Sequence, residues 1–172
     1  RGVVRESWRL GYVDAEELRR VEDVGNVKAT TLPAGRALSM AEIQTLIGAC
    51  DRTTPVGARD AAILAILFGA GLRRSELVAL ELADYSPATG ELVIRSGKGR
   101  QDRLAYATNG SARLLEEWLT HRGTVPGPLF VGVNKAGTIG TGILTAQAVY
   151  KMLGVLAKRA GVAAFSPHDL RR

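Results

Sequence analysis

Apolar residues recur every three or four positions along much of the chain, which is the spacing of an amphipathic helix. The segment Ala58–Gly69 is apolar around most of its circumference, so it predicts a central, buried helix. Arg74–Leu82 and Ser111–Arg122 each predict a helix with one buried face. Thr145 is predicted to cap a long helix that runs through Ala160.

Two capping boxes mark where further helices begin. Asp14 and Glu17 are three residues apart, as are Ser39 and Glu42, and in each pair the first side chain can accept a hydrogen bond from the backbone of the second. The first pair predicts a short helix to about Val21. The second pair predicts the first helix of a larger domain.

Between these helices, residues 22–39 lack an apolar period and contain glycine and proline, which is typical of a linker. We therefore predict the tail of a preceding helical domain at residues 1–32, a linker at 33–39 and the main domain at 40–172.

The period changes in the middle of the chain. Glu91–Arg95 and Arg103–Ala107 have the pattern of short strands, and together with Ala83–Tyr85 they predict a small antiparallel sheet of three strands. Leu129–Val131 predicts a short apolar edge, whereas residues 132–142, rich in glycine and threonine, predict a loop. The expected fold class is mainly α with this three-stranded sheet, that is, α+β.

Composition and charge limit the classes of protein to which the chain can belong. Hydrophobic residues make up 46% of the 172 residues and aromatic residues only 5%, so the core must be mainly aliphatic. The net charge of +6 agrees with a polyanionic partner, and also with a basic protein that has none. The single cysteine, Cys50, excludes an intrachain disulfide and is expected to fill a small space in the core. No apolar run reaches the roughly 18 residues that a membrane-spanning helix needs.

Three cationic motifs carry the candidate chemistry. In the first, Gly71–Leu77, a glycine break places Arg73 at the start of a helix, where the positive end of the helix dipole disfavours a cation. An arginine in this position suggests that an anion lies nearby. An ordinary solvated arginine is the alternative.

The second motif is the hairpin tip Gly97–Gly99, whose glycines let the backbone approach a ligand closely and present Lys98 on a turn. Arg95, Arg100 and Arg103 flank it, so the hairpin is a candidate finger for a nucleic-acid backbone or groove. A flexible, soluble turn is the more common meaning of such a pattern.

The third motif is His168–Arg171. Ser166 and Pro167 predict a helix start, on which His168 and Arg171 share one face because they are three residues apart. An imidazole beside a guanidinium can bind a phosphoryl oxygen and move a proton. Taken alone, this motif often occurs by chance.

In this order and context, the three motifs resemble the catalytic domain of tyrosine recombinases, the phage integrase family. The family pattern is an arginine in a G-L-R-x-S-E-L helix start, a lysine in a G-K-G hairpin and then an H-x-L-R helix start. The resemblance covers roughly residues 36–172 and implies the catalytic fold of DNA breaking-rejoining enzymes. Residues 1–32 resemble the last helices of the family's core-binding domain.

The resemblance implies site-specific DNA cleavage and rejoining through a 3′-phosphotyrosine intermediate, without a metal or other cofactor. Arg73 and Arg171 would contact the non-bridging oxygens of the scissile phosphate. Lys98 would protonate the 5′-oxygen leaving group, and His168 would bind the phosphate and assist proton transfer. Glu76, one helical turn after Arg73, would orient the guanidinium or the lysine.

The family's nucleophilic tyrosine follows the H-x-L-R motif, whereas the tyrosines of this sequence all precede it, at Tyr12, Tyr85, Tyr106 and Tyr150. Each of the four is expected to be a packing residue. The chain therefore resembles a catalytic domain truncated before its nucleophile, and it is expected to bind DNA or phosphate without cleaving. We expect these 172 residues to be a monomer and the full-length protein to be a tetramer on DNA.

Weaker candidates for DNA contacts are Arg36, Arg95, Arg100, Arg103, Thr141 and Thr145. For Thr145, helix capping is an equally good explanation. Arg74 is expected to point away from the site and has no assigned role. The resemblance also implies a bacterial cytoplasmic protein on the nucleoid, with double-stranded DNA as its partner and no membrane contact.

Two other functions stay open. A relative of the recombinases that has lost catalysis would bind DNA in a salt-dependent manner without cutting it. A type IB topoisomerase-like enzyme would relax supercoiled DNA without choosing a site.

Overall fold

The structure is a computed structural model that describes residues 2–23, 35–95 and 102–171. Contacts within the chain divide it into two units, Arg1–Ala34 and Gly35–Arg172. The division falls inside the stretch predicted to be a linker. In the part of the chain that the structure describes, no helix is both long and apolar enough to cross a bilayer.

The first unit contains two short helices, α1 (Gly2–Arg9) and α2 (Ala15–Asp23). The Asp14 carboxylate accepts a hydrogen bond from the backbone N–H of Glu17 at 2.8 Å, and the Glu17 carboxylate accepts one from the backbone N–H of Asp14 at 3.1 Å. The predicted capping box is therefore confirmed, and it fixes where α2 begins. Neither helix has a fully buried residue.

Over its described residues, the second unit has five α-helices: α3 (Met40–Gly48), α4 (Pro55–Gly69), α5 (Arg74–Val78), α6 (Gly110–Arg122) and α7 (Ala146–Ala160). The central, buried helix predicted from the apolar pattern is α4, where every residue from Gly57 to Leu67 except Asp60 is buried. Helix α6 packs against α4 and buries Trp118 completely.

The ends of these helices follow the predicted caps. Ser39 and Glu42 form the capping box of α3. The Thr145 hydroxyl accepts a hydrogen bond from the backbone N–H of Ala148 at 3.0 Å, so its capping role at α7 is confirmed. Gly161 ends α7 with a φ of 65°, a left-handed conformation that favours glycine.

The predicted sheet is present as three antiparallel strands in the order β1–β2–β3, namely β1 (Tyr85–Ser86), β2 (Glu91–Ile94) and β3 (Arg103–Tyr106). Leu92 of β2 lies opposite Ala105 of β3, and both side chains are buried in the core. The expected class, mainly helical with a small antiparallel sheet, is confirmed.

The helix predicted for Arg74–Leu82 is too long, because α5 ends at Val78. A hydrogen bond to a distant segment diverts the chain: the Leu80 carbonyl accepts from the backbone N–H of Leu129 at 2.7 Å. This tertiary hydrogen bond replaces the one that the Leu80 carbonyl would accept in a continued helix. The local sequence pattern does not predict it.

Two further element predictions need correction. A 3-10 turn occupies Leu82–Asp84, so the strand predicted for Ala83–Tyr85 begins only at its last residue. The loop predicted for residues 132–142 is wrong, because β4 (Val131–Val133) and β5 (Ile139–Ile143) pair there as an antiparallel hairpin. The glycines in this segment interrupt the alternation of apolar and polar residues that indicates a strand. Backbone hydrogen bonds close the turn between the two strands.

Cys50 fills a buried position, as predicted: it is 7% exposed, and its thiol donates to the Leu46 carbonyl at 3.5 Å. Burial raises the pKa of the Cys50 thiol to about 11, so little reactive thiolate forms at neutral pH. We expect iodoacetamide to label the folded chain far more slowly than the chain unfolded in urea, as followed by intact mass. Equal labelling rates in the two states would contradict the buried position.

Candidate nucleic-acid interface

A cavity of about 450 Å³ lies where α5, the start of α7 and the C-terminal segment meet. Its cationic lining consists of Arg73 and Arg74 at the start of α5 and of Arg171, with His168 beside them. No aspartate or glutamate is among the described residues that line it. The cavity is therefore positively charged, and an anion is the ligand that it suits.

Arg73 is held at the beginning of α5 by Glu76. Gly71, with a φ of 61°, turns the chain just before the helix, and Arg73 then adopts an extended backbone conformation. The backbone N–H of Arg73 donates to Oε2 of Glu76 at 2.7 Å, and its Nη1 donates to Oε1 at 2.6 Å. An arginine at the start of a helix suggests that an anion lies nearby, and the Glu76 carboxylate is such an anion.

The carboxylate of Glu76 is shared with a second arginine. Its Oε2 also accepts a hydrogen bond from Nη2 of Arg103 at 2.7 Å. Burial alone would raise the pKa of Glu76, but the hydrogen bonds donated by Arg73 and Arg103 lower this pKa overall. The carboxylate is therefore charged at neutral pH, while the Arg73 side chain keeps 41% of its surface exposed.

Arg171 lies in the segment that closes the cavity. Over the described residues, the helix predicted from Ser166 is only a 3-10 turn. The Asp169 carboxylate accepts from both the backbone N–H and the hydroxyl of Ser166 at 2.8 Å, the reciprocal contact of a helix start, and the described residues end at Arg171. The Nε of Arg171 donates to the Gly71 carbonyl at 2.7 Å, so this segment is tied to the turn before α5.

Comparison with known sequences decides the family. The profile described as the phage integrase family matches residues 36–172, which is most of the chain. The chain belongs to the phage integrase family.

Individual members of the family agree with this assignment. A tyrosine recombinase of Synechocystis sp. is 33% identical, over 88% of this chain and 49% of its own length. Tyrosine recombinase XerC of Oceanobacillus iheyensis is 31% identical, over 95% of this chain and 53% of its own length. The chain thus spans about half the length of the curated relatives that it matches.

Solved recombinase structures share the fold. XerA recombinase superposes with a TM-score of 0.64 at 28% identity, over 82% of this chain and 48% of that one. The post-cleavage complex of XerH site-specific recombinase with palindromic difH substrate gives 0.60 at 26% identity, over 86% and 42%. The catalytic fold of DNA breaking-rejoining enzymes, expected from the three motifs, is confirmed.

The family's lysine motif falls at a hairpin that the structure describes only at its base. Lys98 and Arg100 lie outside the described residues. Arg95 and Arg103 flank them, and each has a carboxylate partner: Arg95 Nε donates to Asp84 Oδ1 at 2.8 Å, and Arg103 pairs with the carboxylate of α5. That Arg95 and Arg103 contact DNA stays a prediction. The ion pairs weaken it, because each guanidinium group already has a carboxylate partner within the chain.

The other predicted DNA contacts are absent from the described lining of the cavity. Arg36 donates from Nη1 to Glu42 at 2.6 Å and from Nη2 to the Ala163 carbonyl at 2.8 Å, so it joins α3 to the segment after α7. Thr141 on β5 and Thr145 at the start of α7 are both exposed. Contact of any of them with DNA stays a prediction.

Arg74 and Tyr150, for which the sequence predicted no role in the site, both line the cavity. The expectation that Arg74 points away is wrong, because its guanidinium lies in the cavity wall, 5.7 Å from the centroid of the Tyr150 ring. Tyr150 is 48% exposed, so it is not the packing residue that was predicted. Helical spacing is the signal that could have found it, since Tyr150 follows Ala146, another lining residue, by four positions.

The packing role predicted for the tyrosines fails in other places too. Tyr12 is 81% exposed, and Tyr106 is 47% exposed because it lies on the outward face of β3. The ring of Tyr85 is buried as predicted, but its hydroxyl finds no hydrogen-bond partner among the described residues.

Proposed function

We propose that the cavity binds a phosphate of double-stranded DNA, and that the full-length protein breaks and rejoins DNA at specific sites through a 3′-phosphotyrosine intermediate. The supporting observation is the set of three arginines and one histidine around a cavity whose described lining has no carboxylate. Similarity to the tyrosine recombinases XerD and XerC supports the reaction. The XerH structure contains its difH substrate, which supports DNA as the ligand.

In this proposal, Arg73 and Arg171 contact the non-bridging oxygens of the scissile phosphate and stabilise the charge that develops in the transition state. His168 hydrogen-bonds the same phosphate and assists proton transfer, and Lys98 protonates the 5′-oxygen leaving group. Glu76 orients Arg73, since it accepts hydrogen bonds from both the backbone and the guanidinium of that residue. The reaction uses no cofactor.

The same proposal covers the organisation of the protein. Residues 1–32 end a core-binding domain, 33–39 connect it to a catalytic domain at 40–172, and the full-length protein forms a tetramer on DNA of the bacterial nucleoid. A family match that starts at residue 36 supports this boundary. The 172 residues alone are expected to be monomeric.

Strand cleavage is tested with a nicked suicide substrate, which traps a covalent protein–DNA complex. The full-length protein is expected to form this complex. The 172-residue chain is expected to retard DNA in a gel, with a strong dependence on salt, but to form no covalent complex, because its four tyrosines all precede His168.

Tyr150 supplies the control, since it is a tyrosine that lines the cavity. A covalent complex formed by the 172-residue chain and lost in Tyr150→Phe would contradict the proposal. Salt-dependent retardation without cleavage by the full-length protein would favour a DNA-binding relative without catalysis. Relaxation of supercoiled DNA without sequence preference would favour the topoisomerase-like function.

A further inference from the structure

Arg103 points toward the interior, although Leu104, the next residue on β3, is exposed. The strand register places it opposite Ile94, which is buried. Because side chains alternate along a strand, Arg103 shares the inward face with buried Ala105, whereas Leu104 and Tyr106 are 51% and 47% exposed on the outward face. The alternation therefore places the Arg103 side chain on the inward face of β3.

On this inward face, Arg103 meets the carboxylate that holds Arg73. Oε2 of Glu76 accepts from Nη2 of Arg103 and from the backbone N–H of Arg73, both at 2.7 Å, while Oε1 accepts from Nη1 of Arg73. The Glu76 side chain is 6% exposed and that of Arg103 is 37% exposed. A nearly buried carboxylate is thus shared by two guanidinium groups, of which only Arg73 lines the cavity.

Loss of Arg103 would therefore act on the cavity through Glu76. Among the described residues, Oε2 would keep only the Arg73 backbone N–H as a partner, so the carboxylate would be less restrained and Arg73 less well oriented. Hydrogen bonds between charged groups are roughly twice as strong as neutral ones, so this loss is substantial. Cleavage depends steeply on geometry, because a misplacement of about 1 Å can cost about 100-fold in rate.

We propose that Arg103 is a positioning residue of the active site, which holds the Glu76 carboxylate and thereby the Arg73 guanidinium in the geometry that the phosphate requires. This inference rests on the proposed strand-cleavage function. The ion pair also joins the strand that follows Lys98 in the sequence to the helix start that carries Arg73. The role assigned to Arg103 thereby changes: it was predicted to contact DNA, and in this proposal it supports the cavity through Glu76.

Arg52 offers a matched control. Its side chain is 38% exposed, almost the same as the 37% of Arg103, and its Nη1 pairs at 2.9 Å with Glu117. Neither Arg52 nor Glu117 is among the residues lining the cavity. Arg52→Ala therefore removes one arginine of similar exposure from a carboxylate and leaves the contact between Glu76 and Arg73 in place.

The test measures single-turnover cleavage at saturating DNA, and Kd separately, in the full-length protein. Arg103→Ala and Arg103→Met are expected to slow cleavage roughly 10- to 100-fold while Kd changes little. Arg103 contacts Glu76 through one nitrogen, which a lysine can replace, so Arg103→Lys is expected to restore most of the rate. Arg52→Ala should cleave almost as fast as the wild type. In a Glu76→Gln background, Arg103→Ala should add little further loss.

The possible outcomes separate this inference from the function on which it rests. If Arg73→Ala is strongly impaired but Arg103→Ala and Arg103→Met cleave like Arg52→Ala, the positioning role is overturned and the proposed function stands. Weaker binding with a salt slope lower by about one unit, at an unchanged cleavage rate, would make Arg103 a DNA contact and also overturn it. A wild-type protein that binds DNA but never cleaves would overturn both. Arg103→Met keeps the aliphatic stem, so it decides the matter if the alanine variant does not fold.

Discussion

Replacing Arg73 with alanine is expected to slow DNA strand cleavage by the full-length protein roughly 100- to 1000-fold. Glu76 fixes both the backbone and the guanidinium of Arg73, so the donor is oriented before substrate arrives. A preorganised cation contributes most where negative charge increases, that is, in the transition state. DNA affinity should fall much less, because Arg74 and Arg171 still line the cavity. Single-turnover cleavage at saturating DNA, with Kd measured separately, distinguishes the two effects.

Arg113→Ala is the control for the loss of one positive charge. The Arg113 side chain is 71% exposed, pairs with Glu117 and does not line the cavity. Near wild-type cleavage by Arg73→Ala, or an equal loss in Arg113→Ala, would contradict the role of Arg73. Arg73→Lys should recover little activity, because one ammonium cannot present the planar set of donors that serves both Glu76 and a phosphate.

The site could be predicted from sequence wherever its parts are local. Arg73 and Glu76 are three residues apart at a helix start, and the spacing alone indicates their pairing. Arg103 is 27 residues from Glu76, and only the strand register turns it toward that carboxylate. The position of Arg74 is likewise tertiary, since it is in the cavity wall only because α7 brings Tyr150 beside it.

The fold, too, could be predicted where local sequence determines it and could not where tertiary contacts do. Helices with strong caps, such as α3 after Ser39 and α7 after Thr145, begin where the sequence predicts. Helix α5 ends earlier than predicted because Leu80 bonds to Leu129, a residue 49 positions later in the chain. The β4–β5 hairpin contains glycines that weaken the strand pattern, so its pairing becomes visible only in three dimensions.

Trp118→Ala is expected to lower the free energy of unfolding by about 3–5 kcal/mol, the largest stability loss that we predict. Trp118 is completely buried on α6, and its Nε1 donates to the Leu129 carbonyl at 2.9 Å. Alanine would leave both a cavity and an unpaired carbonyl in the core. For a protein of this size, about 2–4 °C of Tm is lost per kcal/mol, so thermal unfolding followed by circular dichroism should show a shift of roughly 6–20 °C.

Two variants separate the causes of that loss. Trp118→Phe keeps most of the apolar volume but removes the N–H donor, so it should cost about 1–3 kcal/mol, the usual penalty for an unpaired buried polar group. Val155→Ala, at a position that is 58% exposed on α7, should leave Tm almost unchanged. A Trp118→Ala protein as stable as Val155→Ala would contradict the buried position.

Because the N–H of Leu129 bonds to the Leu80 carbonyl, Trp118 also supports the segment that ends α5. Its loss should therefore loosen the helix that carries Arg73 even at temperatures where the rest of the fold persists.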